Sequence, residues 1–211
     1  MEAGIHTAAP LKQRVAEETK MEWVVWEALP TGNACILEAV ENIEKSSRVE
    51  RGVTLAATWP KDAIMRMTKR HKKNTALLDD VSSYSSAKVC SPRLVEFLRS
   101  KRLENVEYLP ITILDHRDQV ASKDYCIVHP IHPQDALDVQ ASQAEYDAIV
   151  KTDIESVARI VLDEGRLDSR VQLFRLNNFF TPVLLAKAIA DEITAKAFKG
   201  SYFRTLDEYR T

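Results

Sequence analysis

The sequence predicts an α+β protein with a mostly antiparallel sheet and packed helices. Short runs of β-branched and aromatic residues recur between turn residues, which is typical of strands. Two Ser-Pro or Thr-Pro steps precede apolar stripes that have helical spacing. The composition, with 45 % hydrophobic and 28 % charged residues, is that of an ordinary globular protein and argues against disorder.

The N-terminal part begins with a polar segment, and a strand and a helix are predicted after it, with further strands possible at residues 35–37 and 53–56. Residues 1–20 are polar and are interpreted as an arm or a short helix. Residues 21–26 are rich in strand-forming side chains and predict a strand. Residues 61–71 predict a short helix, because their apolar side chains can share one side of it.

The middle of the chain contains a well-marked helix start. Ser91 stands in the N-cap position and Pro92 at the first helical position, with an apolar stripe behind them. Residues 106–114 predict a strand that Pro110 interrupts, which favours a sheet edge or a bulge. Residues 125–129 predict the next strand, which closes a hairpin.

Further helices and strands are predicted toward the C-terminus. Ser142 and Glu145 have the spacing of a capping box and predict a helix start, and Tyr146, Ile149 and Val150 supply an apolar helical stripe behind it. Thr181-Pro182 precedes apolar residues spaced four apart and predicts another helix. The two cap-plus-proline starts are compatible with a repeated strand–helix unit, although Ser/Thr-Pro is also a common helix start. Strands are predicted at residues 157–162 and 171–176, and residues 202–206 are interpreted as a short closing strand or coil.

The motifs of the common enzyme classes are missing from the sequence. The 5 glycines are dispersed, so the chain has neither a P-loop nor a dinucleotide fingerprint. His129 and His132 each precede a proline and are interpreted as loop residues rather than metal ligands. Cys90 precedes a helix start but lacks the surroundings of a catalytic cysteine. We therefore predict a protein that is not an enzyme and that uses no cofactor and no metal.

Cysteine usage and hydropathy indicate the compartment. The 3 cysteines are too few and too scattered for a disulfide framework, which favours a reducing environment. The N-terminal residues lack the apolar core of a secretory signal, and no apolar run approaches the length that spans a bilayer. The sequence therefore predicts a cytoplasmic protein with no membrane partner.

Charge is unevenly distributed along the chain. Residues 79–170 carry 11 Lys and Arg against 17 Asp and Glu, a net charge of −6, whereas the whole chain has a net charge of −2. This stretch is either a solvated surface or an electrostatic face for a basic partner. The basic residues 66–73 have no interleaved aromatic side chains, so they are interpreted as a solvated helix end rather than a nucleic-acid contact.

Several short segments from residue 77 onward occur in an order that resembles a known family. They are Leu77-Leu78-Asp79-Asp80, Val89-Cys90-Ser91-Pro92-Arg93-Leu94, Val106-Glu107-Tyr108-Leu109-Pro110-Ile111, Leu173-Phe174-Arg175-Leu176, the Thr181-Pro182 helix, and Phe198-Lys199-Gly200-Ser201-Tyr202-Phe203. Their order and spacing resemble the immunity-protein family of bacterial polymorphic toxin systems, of the myxobacterial nuclease-toxin immunity type. The resemblance covers residues 77–211.

The resemblance implies a protein that is encoded beside a toxin and neutralises it by binding. No catalytic residue is transferred with it. It divides the chain into an N-terminal segment at 1–76, packed on the main domain, and an immunity-family-like α+β domain at 77–211. The partner implied is a cognate toxin, and we expect a nuclease.

An acidic inhibitor suits a nuclease, because a nuclease is basic around the cleft that binds phosphate. The residues favoured for toxin contact are carboxylates in predicted turns and loops, where a sheet can present them. They are Asp115, Asp118, Asp135 and Asp138. Two alternatives stay open: a nucleic-acid-binding accessory protein that uses residues 66–73, and an enzyme of an unrecognised class.

Overall fold

The computed structural model describes residues 21–211, and the arm predicted at residues 1–20 lies outside them. The strands are β1 (Trp23–Ala28), β2 (Ile36–Leu37), β3 (Ile64–Arg66), β4 (Asp80–Ser83), β5 (Lys88–Cys90), β6 (Val106–Pro110), β7 (Thr112–Leu114), β8 (Val120–Ser122), β9 (Cys126–Pro130), β10 (Glu145–Tyr146), β11 (Ile154–Ser156), β12 (Leu173–Leu176), β13 (Phe179–Ala186) and β14 (Ser201–Thr205). The helices are α1 (Ser47–Glu50), α2 (Pro92–Ser100) and α3 (Lys187–Ala195), with single 3₁₀ turns at Ala56–Thr58, Lys69–His71 and Glu164–Arg166.

The described strands form two larger and two smaller sheets. One sheet has the order β12-β13-β1-β14, and a five-stranded sheet has the order β2-β4-β5-β9-β6. Strands β3, β7 and β8 form a third sheet, and β10 pairs with β11 alone. Among the named strand pairs of residues 21–211, only β2–β4 and β3–β7 are parallel. The mostly antiparallel arrangement predicted from the sequence is therefore confirmed.

Helices contribute less than the sequence predicts. The structure is 33 % strand and 16 % helix, and among the described residues only α2 and α3 exceed four residues. The expectation of a fold with packed helices as a major component is not borne out, and the protein is mostly β. Both of these helices bury apolar side chains in a core that they share with β12 and β13.

Strand β1 joins the two ends of the chain. It lies inside the four-stranded sheet, where Trp23 pairs with Ala186 of β13 and Trp26 pairs with Phe203 of β14. This strand was predicted from its β-branched and aromatic residues, and that prediction is confirmed. An N-terminal strand thus completes a sheet whose other members follow residue 172.

The helix start at Ser91 is confirmed. The Ser91 hydroxyl accepts a hydrogen bond from the Leu94 backbone N–H at 3.3 Å, and Pro92 opens α2. The interrupted strand is confirmed as well, because β6 ends at Pro110 and β7 begins at Thr112. Strand β6 lies at the edge of the five-stranded sheet, the position that the sequence favours for a strand containing proline.

The helix predicted at residues 61–71 is wrong. Its central part is β3, which pairs in parallel with β7. Ala63, Met65 and Met67 are buried while Ile64 and Arg66 are partly exposed, which is the two-residue period of a strand. The basic residues that follow therefore do not end a helix; they include only the 3₁₀ turn at Lys69–His71.

The capping box at Ser142 and Glu145 is also wrong. The buried Ser142 hydroxyl accepts the Val161 N–H at 3.0 Å, and Glu145 accepts a bond from the Ser156 hydroxyl. Both polar side chains contact distant residues instead of capping a helix, and β10 begins at Glu145. The strand predicted at residues 157–162 is misplaced, since β11 ends before it.

Thr181-Pro182 lies within β13 and starts no helix, so the cap-plus-proline helix start predicted there is wrong. The pairing with β12 shifts its register between Arg175 and Leu176, so the ladder skips the positions around Pro182. A bulge of this kind tolerates a residue without an N–H. The helix of this region, α3, begins only at Lys187.

Candidate functional site

The cysteines are not placed for nucleophilic chemistry. Cys35 and Cys90 are buried, and Cys126 is partly buried. Burial raises the pKa of the Cys35 thiol to about 11 and the pKa of the Cys90 thiol well above its ordinary value. A protonated, inaccessible thiol is a poor nucleophile.

His129 serves as a core residue. Its ring is fully buried in β9, and its Nε2 donates a hydrogen bond to the Val53 carbonyl oxygen at 2.8 Å. His132 has a left-handed backbone at the start of the following loop. Within residues 21–211, no group of three His, Cys, Asp or Glu side chains is close enough to hold a metal ion.

A cavity of about 160 Å³ opens beside β1 and is bordered by the serine-rich segment that joins β4 to β5. Ser82, Ser83, Ser85 and Ser86 line it, together with Lys88. Lys88 is engaged with Asp80, at 3.2 Å between Nζ and Oδ2, and these two side chains are almost fully buried. The cavity therefore offers serine hydroxyl groups, while the charge of Lys88 is already paired with that of Asp80.

Arg175 closes the inner end of the bulge in β13. This fully buried guanidinium donates to the Phe180 carbonyl oxygen at 2.5 Å and to the Ser86 carbonyl oxygen at 2.6 Å. Burial lowers the pKa of Arg175 to about 10. The bond to Phe180 satisfies a carbonyl group at the shift in the β12–β13 ladder, and the bond to Ser86 connects the bulge to the segment between β4 and β5; both are structural tasks.

The basic residues 66–73 are partly neutralised within the protein. Arg66 contacts Glu41 at 3.0 Å and also forms an ion pair with Asp118. The Arg70 guanidinium lies 5.6 Å from the ring centre of Tyr84. The remaining cations of this cluster are exposed.

The four aspartates favoured for toxin contact lie in two separate loops. Asp115 and Asp118 belong to the turn between β7 and β8. Asp115 accepts the backbone N–H groups of Arg117 and Gln119, and these bonds lower the pKa of its carboxyl. Asp118 has a left-handed backbone and pairs with Arg66.

The other two aspartates follow β9. Asp135 forms an ion pair with Arg166, and Asp138 accepts the Ala141 backbone N–H at 2.9 Å. Each of the four carboxylates therefore shapes its own loop or pairs with an arginine. Asp115 and Asp118 share a turn, but no hydrogen bond or ion pair of the described residues joins this turn to the loop of Asp135 and Asp138.

A surface that sequence reasoning missed is the β10–β11 hairpin, which exposes three large apolar side chains. Tyr146, Ile149 and Val150 are 51 %, 90 % and 45 % exposed. The sequence placed these residues on the buried stripe of a helix, and that prediction is wrong. Their concentration of apolar side chains next to carboxylates was visible in the sequence, but their exposure was not.

In the part of the chain that the structure describes, no helix is both long and apolar enough to cross a membrane. Comparison with curated proteins finds no match. The sequence does match the immunity protein family Imm11 over residues 10–208. The match also covers most of the segment before residue 77, which the resemblance carried by the short motifs does not include. The chain therefore belongs to the immunity protein family Imm11.

Proposed function

We propose that this protein binds a cognate bacterial toxin, a nuclease, and neutralises it without catalysing a reaction. The observation that carries the proposal is the family match, which spans residues 10–208. The buried Cys35, Cys90 and His129 support a binding role, because none of them is available as a nucleophile or general base. The place of action proposed is the cytoplasm, and the polymorphic toxin system is part of the proposal.

Charge supports a nuclease as the partner. Residues 79–170 have a net charge of −6, and many of their carboxylates lie in loops. A nuclease attracts phosphate with basic side chains, so an acidic surface accelerates the encounter and competes with the nucleic acid. Asp115, Asp118, Asp135 and Asp138 are the residues proposed for this electrostatic contact, with the domain at 77–211 carrying them.

Co-expression tests the proposal. The polypeptide encoded by the gene adjacent to this one is produced in a bacterial host with and without the chain. We expect arrested growth and degraded nucleic acid without the chain, and normal growth with intact nucleic acid in its presence. Growth arrest that the chain does not relieve contradicts the immunity function, whereas relief from a toxin that leaves DNA and RNA intact contradicts only the nuclease.

Two assays on the purified chain address the alternative functions. A gel shift with labelled DNA or RNA, using a variant in which Lys69, Lys72 and Lys73 are replaced by Gln as a control, tests nucleic-acid binding through the basic cluster. Incubation of the chain alone with DNA and RNA tests for turnover. We expect neither a shift nor degradation.

A further inference from the structure

We propose that the β10–β11 hairpin, residues 145–156, carries at its tip an apolar anchor that inserts into a basic-rimmed hollow on the toxin. This inference rests on the proposed function, since it names the surface through which the toxin is bound. It replaces neither the aspartates of the other loops nor their electrostatic role.

The first observation is the exposure of the apolar side chains. Ile149 is 90 % exposed and is flanked by Val150 and Tyr146, which are about half exposed. Large apolar side chains gathered at one projecting point mark an interaction surface rather than ordinary surface scatter. Aromatic and branched aliphatic side chains of this kind supply the central anchors of protein interfaces.

The second observation is that the tip is held in one shape. The Asp147 carboxylate accepts the backbone N–H groups of Ile149 at 2.7 Å and Val150 at 2.6 Å. The Asp153 N–H donates to the Val150 carbonyl oxygen at 2.8 Å, and the Asp147 N–H donates to Asp153. The loop that carries the apolar side chains is therefore organised before binding, which lowers the entropy lost in a complex.

The base of the hairpin is attached to the body of the protein. Arg51 pairs with Asp153 at 2.6 Å, and its guanidinium lies 4.8 Å from the ring centre of Phe180. The Ile154 N–H donates to the Asn178 carbonyl oxygen at 2.6 Å. A two-stranded ribbon is marginal by itself, so these contacts fix the direction in which the tip projects.

Charge identifies the occupant. The hairpin carries four carboxylates, Glu145, Asp147, Asp153 and Glu155, against Lys151, a net charge of −3. Two copies of this tip would repel each other, which disfavours a second copy of the chain as the occupant. A partner with Lys and Arg around an apolar hollow complements it, and basic side chains are what a nuclease displays near its cleft.

Binding of purified variants to the purified product of the adjacent gene tests the anchor. Ile149→Asp keeps the backbone N–H group that donates to the Asp147 carboxylate. It also places a charge at a position that would lose its contact with water in the complex. We expect the dissociation constant to rise by about 30-fold or more, as for an interface hot spot. Leu29→Asp is the matched control, because Leu29 is an aliphatic side chain that is 49 % exposed outside the hairpin. Its dissociation constant should stay within about threefold of the wild type.

Four results together distinguish a failure of the anchor from a failure of the immunity function. Unchanged thermal unfolding of both variants shows that the fold is intact, as expected for exposed positions. If the wild type binds and protects cells but Ile149→Asp binds equally well, the anchor is wrong and the immunity function survives. If the wild type itself does not bind, both proposals fall. A dimer of the chain alone that Ile149→Asp dissociates would assign the tip to self-association and overturn the anchor.

Discussion

Lys88 and Asp80 form an ion pair in the protein interior, with 3.2 Å between Nζ and Oδ2 and side chains that are 6 % and 0 % exposed. The Trp26 indole N–H donates to the same Asp80 oxygen at 2.7 Å, and the Lys88 ammonium lies 4.7 Å from a Trp26 ring centre. Burial raises the pKa of the Asp80 carboxyl, and Lys88 and Trp26 oppose that rise. The pair joins β4 to β5 and both to β1, so it ties the two larger sheets together.

Removing one member of this pair should be strongly destabilising. Lys88→Met leaves the Asp80 carboxylate buried without its cation, and we expect a loss of about 3–5 kcal/mol in the free energy of unfolding. Lys187→Met is the control, because Lys187 pairs with Asp191 at the exposed surface at 2.7 Å, where solvent screens the attraction, and its loss should barely change the free energy of unfolding. Urea unfolding at neutral pH measures both. Equal losses in the free energy of unfolding would show that the interior pair contributes no more to stability than the surface pair.

Gly200 cannot be replaced without moving the chain around Asp80. Its φ is +95°, and a Cβ there would overlap the Asp80 backbone carbonyl oxygen. We expect Gly200→Ala to cost about 3 kcal/mol or more, because strain and a backbone clash add together. Gly32 has a φ of +60° with nothing near its Cβ position, so Gly32→Ala should cost only about 1–2 kcal/mol. Chemical denaturation of the two variants compares strain alone with strain plus overlap, and similar losses would contradict the predicted clash.

His129 should make stability depend on pH. Burial lowers the pKa of this ring below its ordinary 6.5, and the neutral ring donates to Val53. The unfolded chain therefore binds a proton near pH 6.5 that the folded chain does not bind until a lower pH. The stability that the neutral His129 ring contributes is fully present above pH 6.5 and is lost as pH falls through the lowered pKa.

Unfolding of the wild type and of His129→Gln between about pH 7.5 and 5.5 checks this linkage. Glutamine keeps an N–H donor without a group that titrates in this range. We expect the wild type to lose stability more steeply than the variant, by up to about 1.4 kcal/mol for each pH unit. Parallel curves would mean that His129 binds its proton equally in both states.

The electrostatic contact predicts a change in salt dependence. Replacing all four proposed aspartates by Asn keeps the side-chain acceptors that hold the loops, so the fold should remain stable. Binding of the toxin should become weaker and its dependence on salt flatter, since long-range attraction is lost. The effect is reduced by Arg66 and Arg166, which already pair with Asp118 and Asp135.

A charge-matched control separates position from net charge. It neutralises four exposed carboxylates outside these loops: Asp62, Asp191, Asp207 and Glu208. We expect the control to retain most of the affinity and of the salt slope. An unchanged affinity and slope in the first variant would contradict the acidic contact while leaving the immunity assignment intact.

Local patterns predicted the structure where the hydrogen bonds that they imply form within a few residues, and they failed where distant segments pair with the same residues. Ser91 and Pro92 start a helix because the cap bond joins residues three apart. Pro110 ends an edge strand because proline has no backbone N–H to donate, whatever its surroundings in the fold. At Ser142 and Glu145 the local pattern was equally good, but the partners are Val161 and Ser156.

The candidate site shows the same division. The sequence identified carboxylates in turns, and Asp115 does organise a turn through the Arg117 and Gln119 N–H groups. It could not identify the hairpin tip, because Ile149 and Val150 have the spacing of a buried stripe. An apolar side chain is an anchor only if no other part of the chain covers it.

The sequence by itself determined the composition of a stable core, the family-like order of segments, the acidic middle stretch and the elements whose hydrogen bonds close within a few residues. The tertiary structure decided that Thr181-Pro182 runs through a strand, because Arg175 and a register shift accommodate the bulge there. It also decided that Ile149 meets solvent while Asp80 and Lys88 meet each other. Burial and cross-strand pairing are properties of segments far apart in the chain, so no local pattern encodes them.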